Sequence, residues 1–383
     1  MTRRKIRVGI LFGGRSGEHE VSLTSAQGIM TAMDKDKYEV VPIGISKEGR
    51  WIVGGDPMKA LRAAAEMPPG LVAPTGQEGP APQTVLVPLE QGQRALTTLG
   101  TSLELDVIFP VLHGPYGEDG TVQGFLELTG LPYVGAGVTA SAIAMDKVMA
   151  KDVFRTHGLP VLPYHVILRK AWETQPHEVI EECEAVLRYP MFTKPANLGS
   201  SVGIRKVHSR EELVAGLDEA AHFDRKLLVE QGIHAREIEV SVLGNDDPFA
   251  SVPGEIIPSR EFYSYAAKYI DGTSQLLIPA PISAEQAEQA RQVAIRAYKA
   301  LDCAGMARVD FLMDTHTGEL WLSEINTIPG FTPISMYPKL WEASGLSYSE
   351  LIDRLIELAL ERHQDRGRSA TSFDASTASQ AGG

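Results

Sequence analysis

MARVDFLMDTHTGELWLSEINTIPG, residues 306–330, carries two apolar runs, Val309–Met313 and Leu320–Ile325, on either side of Asp-Thr-His-Thr-Gly. The pattern predicts a β-hairpin with a loop of about five residues. Side chains alternate along a strand, so Arg308 and Asp310 share a face, as do Glu324 and Asn326. Closing the turn near Thr317 sets Asp310 opposite Glu324 and Arg308 opposite Asn326. Directly opposed side chains lie roughly 5 Å apart, and carboxylates that close repel unless a positive group sits between them. Carboxylate and amide oxygens without thiolate or imidazole suit a hard cation such as Mg²⁺, which keeps water and substrate phosphate as further ligands. An exposed hairpin face with scattered charges is the plainer reading. It leaves unexplained an Arg, two acids and an Asn on one ladder, followed by Pro-Gly.

The rest of the chain sets bounds on that site. A length of 383 residues suits two or three domains. Hydrophobic content of 43% with 22% charged residues is ordinary for a soluble protein. A net charge of −13 argues against an extended nucleic-acid or anionic-membrane surface. Cys183 and Cys303 have neither C-x-x-C nor Cys/His spacing, which fits a reducing compartment. The basic start is followed by an apolar run too short, and broken at Arg7, for a secretion signal. No run approaches the ~18 apolar residues of a membrane helix. A cytoplasmic protein with no membrane partner is expected.

Ile6–Phe12, Gly13-Gly14 and a helical Val21–Met33 read as strand, glycine loop and helix, the opening of an α/β unit. Tyr38–Ile45, Thr84–Pro88, Arg94–Thr97 and Asp106–Leu112 are strand candidates, and Thr121–Thr129 a helix. A first domain over 1–140 follows. Asp56–Gln83, rich in Pro, Gly and Ala, reads as an irregular insertion holding at most one short helix. A helix from Ser141 to His157 leads into a second unit, 141–234, with strands Val161–Leu168, Pro190–Lys194, Val202–Val207 and Lys226–Glu230. The third, 235–365, holds strand Glu237–Leu243, helix Ala284–Ala300, the hairpin, and a closing helix Tyr348–His363. The composition from Arg366 predicts a disordered tail over 366–383.

Four further stretches could carry chemistry. FTKPANLGSSVG (192–203) joins two strands through a Gly/Ser-rich loop with Lys194 at its mouth. Its N–H groups and ammonium suit phosphate oxygens, although no Walker pattern is present and a plain turn is the alternative. In LLVEQGIHAREIEV (227–240), Glu230 and Glu237 close and open successive strands. A strand end of that kind can take adenine through backbone groups and ribose through a carboxylate; two charges ending two strands is an equal reading. Ser259–Ser274 is aromatic, polar and irregular, with the length of an Ω-type lid, and Lys268-Tyr269 offers a cation beside a hydroxyl. The loops Gly13–Glu20 and His113–Asp119 each follow a strand, where open α/β sheets gather ligands. Glu18 could hold a cationic group and His113 could orient substrate or relay a proton. For either alone a structural role is the simpler account.

Taken in order, GGRSGEHEVS, LHGPYGEDG, MDK, KPANLGSSVG, AKY, RVDF and EINTIPGFT resemble the D-alanine–D-alanine ligases, ATP-grasp enzymes of peptidoglycan synthesis, over about residues 6–355. Arg-x-Asp with Glu-x-Asn indicates only the ATP-grasp superfamily; the first-domain loops and Ala-Lys-Tyr narrow it to this family. The resemblance implies an N-terminal open α/β sheet followed by two α+β ATP-grasp subdomains with ATP between them. It implies that Lys147 and Lys194 contact phosphates under the Gly199–Ser201 loop, with Ser201 among the nucleotide contacts. Glu230, Gln231 and Ile233 would meet adenine, and Glu237 ribose. Asp310, Glu324 and Asn326 would hold two Mg²⁺ or Mn²⁺. Glu18 would take the ammonium of the first D-alanine, with Ser200 and Tyr269 linked to it as the lid closes. Lys268 would reach phosphate or carboxylate. Arg308 and the Gly330 N–H would form the oxyanion site, and Ser335, beside Met336, would hold the second D-alanine's carboxylate. A homodimer is the family expectation. Tyr269 resembles members that refuse D-lactate. Gln231 stands where many relatives have Lys, and the Asp56–Gln83 insertion matches no motif. The alternatives are an ATP-grasp ligase joining other amino or hydroxy acids, and an ATP-binding regulator without turnover; Glu18, Arg308 and Ser335 speak against the second.

Overall fold

The computed structural model describes residues 4–65, 83–86, 95–98, 101–257 and 275–370. Ile6–Gly13 pairs in parallel with Tyr38–Ile45 on one side and Val107–Val111 on the other. Parallel strands are covered on both faces and so need near-continuous apolar sequence; Val107–Val111 is buried at every position. The antiparallel strands Trp51–Val53, Gln83–Leu86, Ala95–Thr98 and Thr101–Glu104 extend this first sheet to seven. Gly13 ends its strand at φ +93°, where an added Cβ would meet the Ile45 carbonyl oxygen at 2.2 Å. Glycine is therefore required at this turn into the helix His19–Ala32.

A second sheet of four antiparallel strands runs in the order Arg205–Val207, Met191–Pro195, Lys226–Gln231, Tyr164–Leu168. The third has six: Gln275–Leu277, Gly254–Ile257, Ala235–Gly244, Gly305–Asp314 and Leu320–Asn326 in order, with Phe249–Ala250 beside Ala235–Gly244. The helix Ala284–Ala300, opened by a Ser283/Gln286 capping box, buries Ala290, Val293, Ala294, Ala297 and Tyr298 against this third sheet. Those positions recur at helical spacing, which is why the sequence alone delimits the helix.

Several expectations need correcting. The helix expected over Ser141–His157 is two, Val138–Met145 and Lys147–Thr156. Asp146 separates them with extended backbone, and its carboxylate accepts from the N–H groups of Val148 and Met149, a side-chain N-cap. The break turns Lys147 toward the crevice. The strand expected from Val202 is only Arg205–Val207, because Ser200, Ser201 and Gly203 take positive φ (52°, 58° and 70°) in a tight loop. The Asp56–Gln83 insertion does open with the one short helix allowed for it, Pro57–Ala65; 66–82 lie outside the described residues. The closing helix runs from Tyr348 to Arg366, three residues past the expected His363; 371–383 lie outside the described residues.

That closing helix reaches back to the first sheet. Leu351, Ile352, Leu355 and Ile356 share a core with Val8, Ile10, Val107 and Phe109. Each such fully buried side chain contributes about 1.5–3 kcal/mol relative to exposure. Arg362 stacks on the Tyr133 ring, 4.4 Å from its centroid, and donates to the Tyr133 carbonyl at 3.2 Å.

Candidate active site

The hairpin forms as the sequence implies, with one refinement. Gly305–Asp314 and Leu320–Asn326 pair antiparallel with Arg308 opposite Asn326 and Asp310 opposite Glu324. Nearer the turn the register is one residue off, since Phe311 pairs with Leu322. Ser323 is thus the extra residue of a β-bulge. A one-residue slip moves side chains to the other face, and the bulge restores Glu324 to the Asp310 face.

The neighbouring strand adds a residue that sequence reading missed. Ala235–Gly244 pairs with Gly305–Asp314 so that Glu239 lies opposite Asp310. Arg308 donates through Nε and Nη2 to Asp310 Oδ1 and Oδ2, both at 2.7 Å, and its Nε lies 3.0 Å from Glu239 Oε2. Asn326 Nδ2 donates to Asp310 Oδ2 at 3.0 Å. Burial disfavours the guanidinium charge, but Asp310 and Glu239 outweigh it and hold the Arg308 pKa well above its ordinary range. Glu239 was legible in principle: it follows Glu237 by two residues, on the same strand face.

This ladder forms one wall of a cleft of about 440 Å³. Glu18, His113 and Glu118 line it from the first sheet's loops, Leu198, Gly199 and Ser200 from the second, and Thr327–Gly330, Ser335, Met336 and Lys339 from beyond the hairpin. Ser200 donates to Glu18 Oε1 at 2.5 Å. Lys147 donates to the Leu198 carbonyl at 2.6 Å and lies 3.8 Å from Glu324 Oε2. His113 Nδ1 donates to the Ile328 carbonyl at 3.1 Å, while its buried Nε2 has no hydrogen bond among the described residues. Burial drives the His113 pKa down despite nearby Glu18. Glu118 is pushed up to about 8 by desolvation and by the Glu18 charge.

The Pro329-Gly330 segment is pinned from outside its own sheet. Ser25 Oγ accepts from the Phe331 N–H at 3.3 Å, and Tyr348 donates to the Phe331 carbonyl at 2.6 Å. Ser335 precedes the helix Met336–Ala343, and its Oγ accepts from the Thr332 N–H at 3.0 Å. A serine at a helix N-terminus suits a carboxylate, through its hydroxyl and the positive end of the dipole.

Glu230 lies apart from this ladder, on the second sheet. It is buried between Lys194, at 2.5 Å, and Lys151. Burial would raise its pKa, but the two ammonium groups prevail and hold it at about 2. Lys151, one helical turn beyond Lys147, gave no signal in the sequence. Gln231 is turned elsewhere: its Nε2 donates to the Arg188 carbonyl at 2.8 Å and its Oε1 accepts from the Arg188 N–H at 2.9 Å. Ile233 and Glu237 flank the passage to the third sheet, on either side of the start of Ala235–Gly244. Ser201 follows Ser200 in the positive-φ turn. Lys268 and Tyr269, with the expected lid Ser259–Ser274, lie outside the described residues.

No three His, Cys, Asp or Glu side chains among the described residues stand close enough to hold a metal by themselves. The fit to a cation rests on donor chemistry instead. Asp310, Glu324 and Asn326 are hard oxygen donors on adjacent ladder rows, of the kind Mg²⁺ uses together with substrate phosphate.

Comparison with known proteins identifies the family. The family model described as D-ala D-ala ligase N-terminus matches residues 7–136, and that of the D-ala D-ala ligase C-terminus residues 153–357. The D-alanine–D-alanine ligase of Natranaerobius thermophilus is 51% identical over 376 residues, 97% of this chain and 100% of that protein. Its counterpart in Thermoanaerobacter sp. is 54% identical over 369 residues, 95% and 99% of the two chains. Among solved structures, the D-alanine-D-alanine ligase from Coxiella burnetii superposes with a TM-score of 0.81 at 37% identity, covering 96% of this chain and 97% of that one. The VanG D-Ala:D-Ser ligase from Enterococcus faecalis gives 0.81 at 35% identity, over 93% and 100%. The α/β architecture is that of an ATP-grasp ligase. The chain belongs to the D-alanine–D-alanine ligase family.

Proposed function

We propose that this chain joins two D-alanine molecules into D-alanyl-D-alanine with cleavage of ATP to ADP and phosphate, for cell-wall peptidoglycan. What supports the reading most is the convergence in one cleft of Glu18, Arg308 and Ser335, an anion, a cation and a carboxylate seat supplied by separate parts of the chain. A nucleotide-binding regulator would have no use for all three.

A carboxylate is a poor electrophile, so ATP converts the first substrate's carboxylate to an acyl phosphate. Catalysis of that step is positioning and neutralisation of phosphoryl charge. Lys147 and Lys194 provide ammonium groups for the phosphates, with the Gly199–Ser201 turn above them. We assign adenine to Glu230, Gln231 and Ile233, and ribose to Glu237. The Gln231 side chain is committed to Arg188, so its share falls to backbone groups. Asp310, Glu324 and Asn326 would hold two Mg²⁺ or Mn²⁺ ions, which would neutralise charge on the phosphates.

Glu18 receives the ammonium of the first D-alanine, with Ser200 donating to it, and His113 sits beside them as a substrate contact. The second D-alanine, its carboxylate at Ser335 and Met336, attacks the acyl carbon with its free amine, and the acyl C–O bond breaks to release phosphate as the amine loses its proton. Arg308 and the Gly330 N–H meet the developing oxyanion, an effect worth about 3–4 kcal/mol per donor elsewhere. Acyl phosphates hydrolyse, which gives the segment bearing Lys268 and Tyr269 its part: to close over the site and exclude water. We place the protein in the cytoplasm, where ATP is supplied, as a homodimer.

Phosphate release from Mg-ATP, measured with and without D-alanine, tests the reading. Strong dependence on D-alanine supports it. D-alanine-independent release, or none, removes it, and dependence on another amino or hydroxy acid points to a different ATP-grasp ligase.

A further inference from the structure

We propose that Glu239 is a positioning residue that retains Arg308 when Asp310 turns to the metal; this rests on the ligase reading above. The ladder places three acids in one row, Glu239, Asp310 and Glu324, each opposite the next on adjacent strands. One guanidinium serves two of them. Arg308 gives Asp310 a two-pronged contact at 2.7 Å and keeps Nε 3.0 Å from Glu239. All three side chains are nearly buried, with relative exposures of 15% for Arg308, 16% for Asp310 and 5% for Glu239.

Asp310 therefore has two competing duties. Both its oxygens are engaged by Arg308 and one also accepts from Asn326, whereas a cation on those oxygens would repel the guanidinium. Were Asp310 its sole carboxylate, its release would strand a buried guanidinium without compensation. Glu239 removes that conflict. It sits across the strand from Asp310, within reach of the same nitrogen, so Arg308 can exchange one carboxylate for the other with little movement. The cation gains Asp310, and Arg308 stays aimed into the cleft. Glu239 acts through Arg308 and needs no contact with substrate or metal.

The test is Mn²⁺ affinity, read by electron paramagnetic resonance with a non-hydrolysable ATP analogue and no D-alanine, on wild type, Glu239→Gln, Arg308→Ala and the double variant. Without Glu239, Arg308 holds Asp310 harder, so Glu239→Gln is expected to weaken Mn²⁺ binding about tenfold. Removing the competitor as well is expected to restore it, so the double variant binds Mn²⁺ as Arg308→Ala does. A loss that persists in the double variant makes Glu239 a ligand and overturns the proposal. Unchanged Mn²⁺ affinity in Glu239→Gln, with or without a lower melting temperature, also overturns it. Should Glu239→Gln fail to fold, Glu239→Asp supplies the same comparison: the shortened carboxylate draws back from Arg308, with a smaller loss and the same recovery expected. A wild type that binds no Mn²⁺-nucleotide removes the ligase reading itself, a result distinct from these.

Discussion

Ser200 and Glu18, 182 residues apart in sequence, share a hydrogen bond of 2.5 Å across the cleft. The bond ties the positive-φ loop of the second sheet to the helix entrance of the first. A hydroxyl donating to a carboxylate is a strong contact, worth about 1.5–3 kcal/mol. Ser200→Ala is expected to keep ATP binding and to lose about tenfold or more in kcat/KM for D-alanine, the range that energy implies. Initial-rate kinetics with each substrate varied in turn check this. An effect confined to the KM for ATP would contradict it.

Arg308→Ala is expected to lower kcat by about 10²–10³, as for other oxyanion donors. The variant also loses stability, because Asp310 and Glu239 would face each other without the guanidinium between them. Removing one partner from buried ion pairs costs about 3–5 kcal/mol. A lower melting temperature, partly recovered by Mg²⁺, is the expected calorimetric result.

Glu230, held at about 2 against an ordinary 4.5, links Lys151 and Lys194 to stability. Its folded pKa is depressed, so the stabilisation is present above pH 4.5 and is lost as the pH falls from there toward 2. A difference of that size corresponds to about 3 kcal/mol. Urea unfolding across that window should show the decline, and Glu230→Gln should flatten it while lowering stability at pH 7 through two unpaired buried lysines.

Gly330 closely approaches Ser335, the proposed seat of the second D-alanine: an added Cβ would lie 3.0 Å from Ser335 Oγ. The hydroxyl must move aside. Gly330→Ala is therefore expected to raise the KM for the second D-alanine more than that for ATP. Equal effects on both would locate the damage elsewhere.

Much of this was legible in the sequence. Thr121–Thr129, Ala284–Ala300 and Tyr38–Ile45 follow from apolar periodicity and their bounding residues. The Asp310/Glu324 and Arg308/Asn326 pairing follows from counting out from the turn, although the count holds only because Ser323 bulges. What escaped reading depends on contacts distant in sequence. Asp146 breaks a helix of good formers because its carboxylate caps the next one. Lys151 becomes significant only through Glu230, on another strand. Ser25 and Tyr348 hold the Gly330 loop from either end of the chain. No periodicity announces residues of that kind.

The central claim is that the cleft activates a D-alanine carboxylate by phosphorylation. Supplying D-alanine with heavy oxygen in its carboxylate tests it most directly, by mass spectrometry of the phosphate released. The account predicts that each dipeptide formed leaves one heavy oxygen in its phosphate. Dipeptide formed alongside unlabelled phosphate would contradict it.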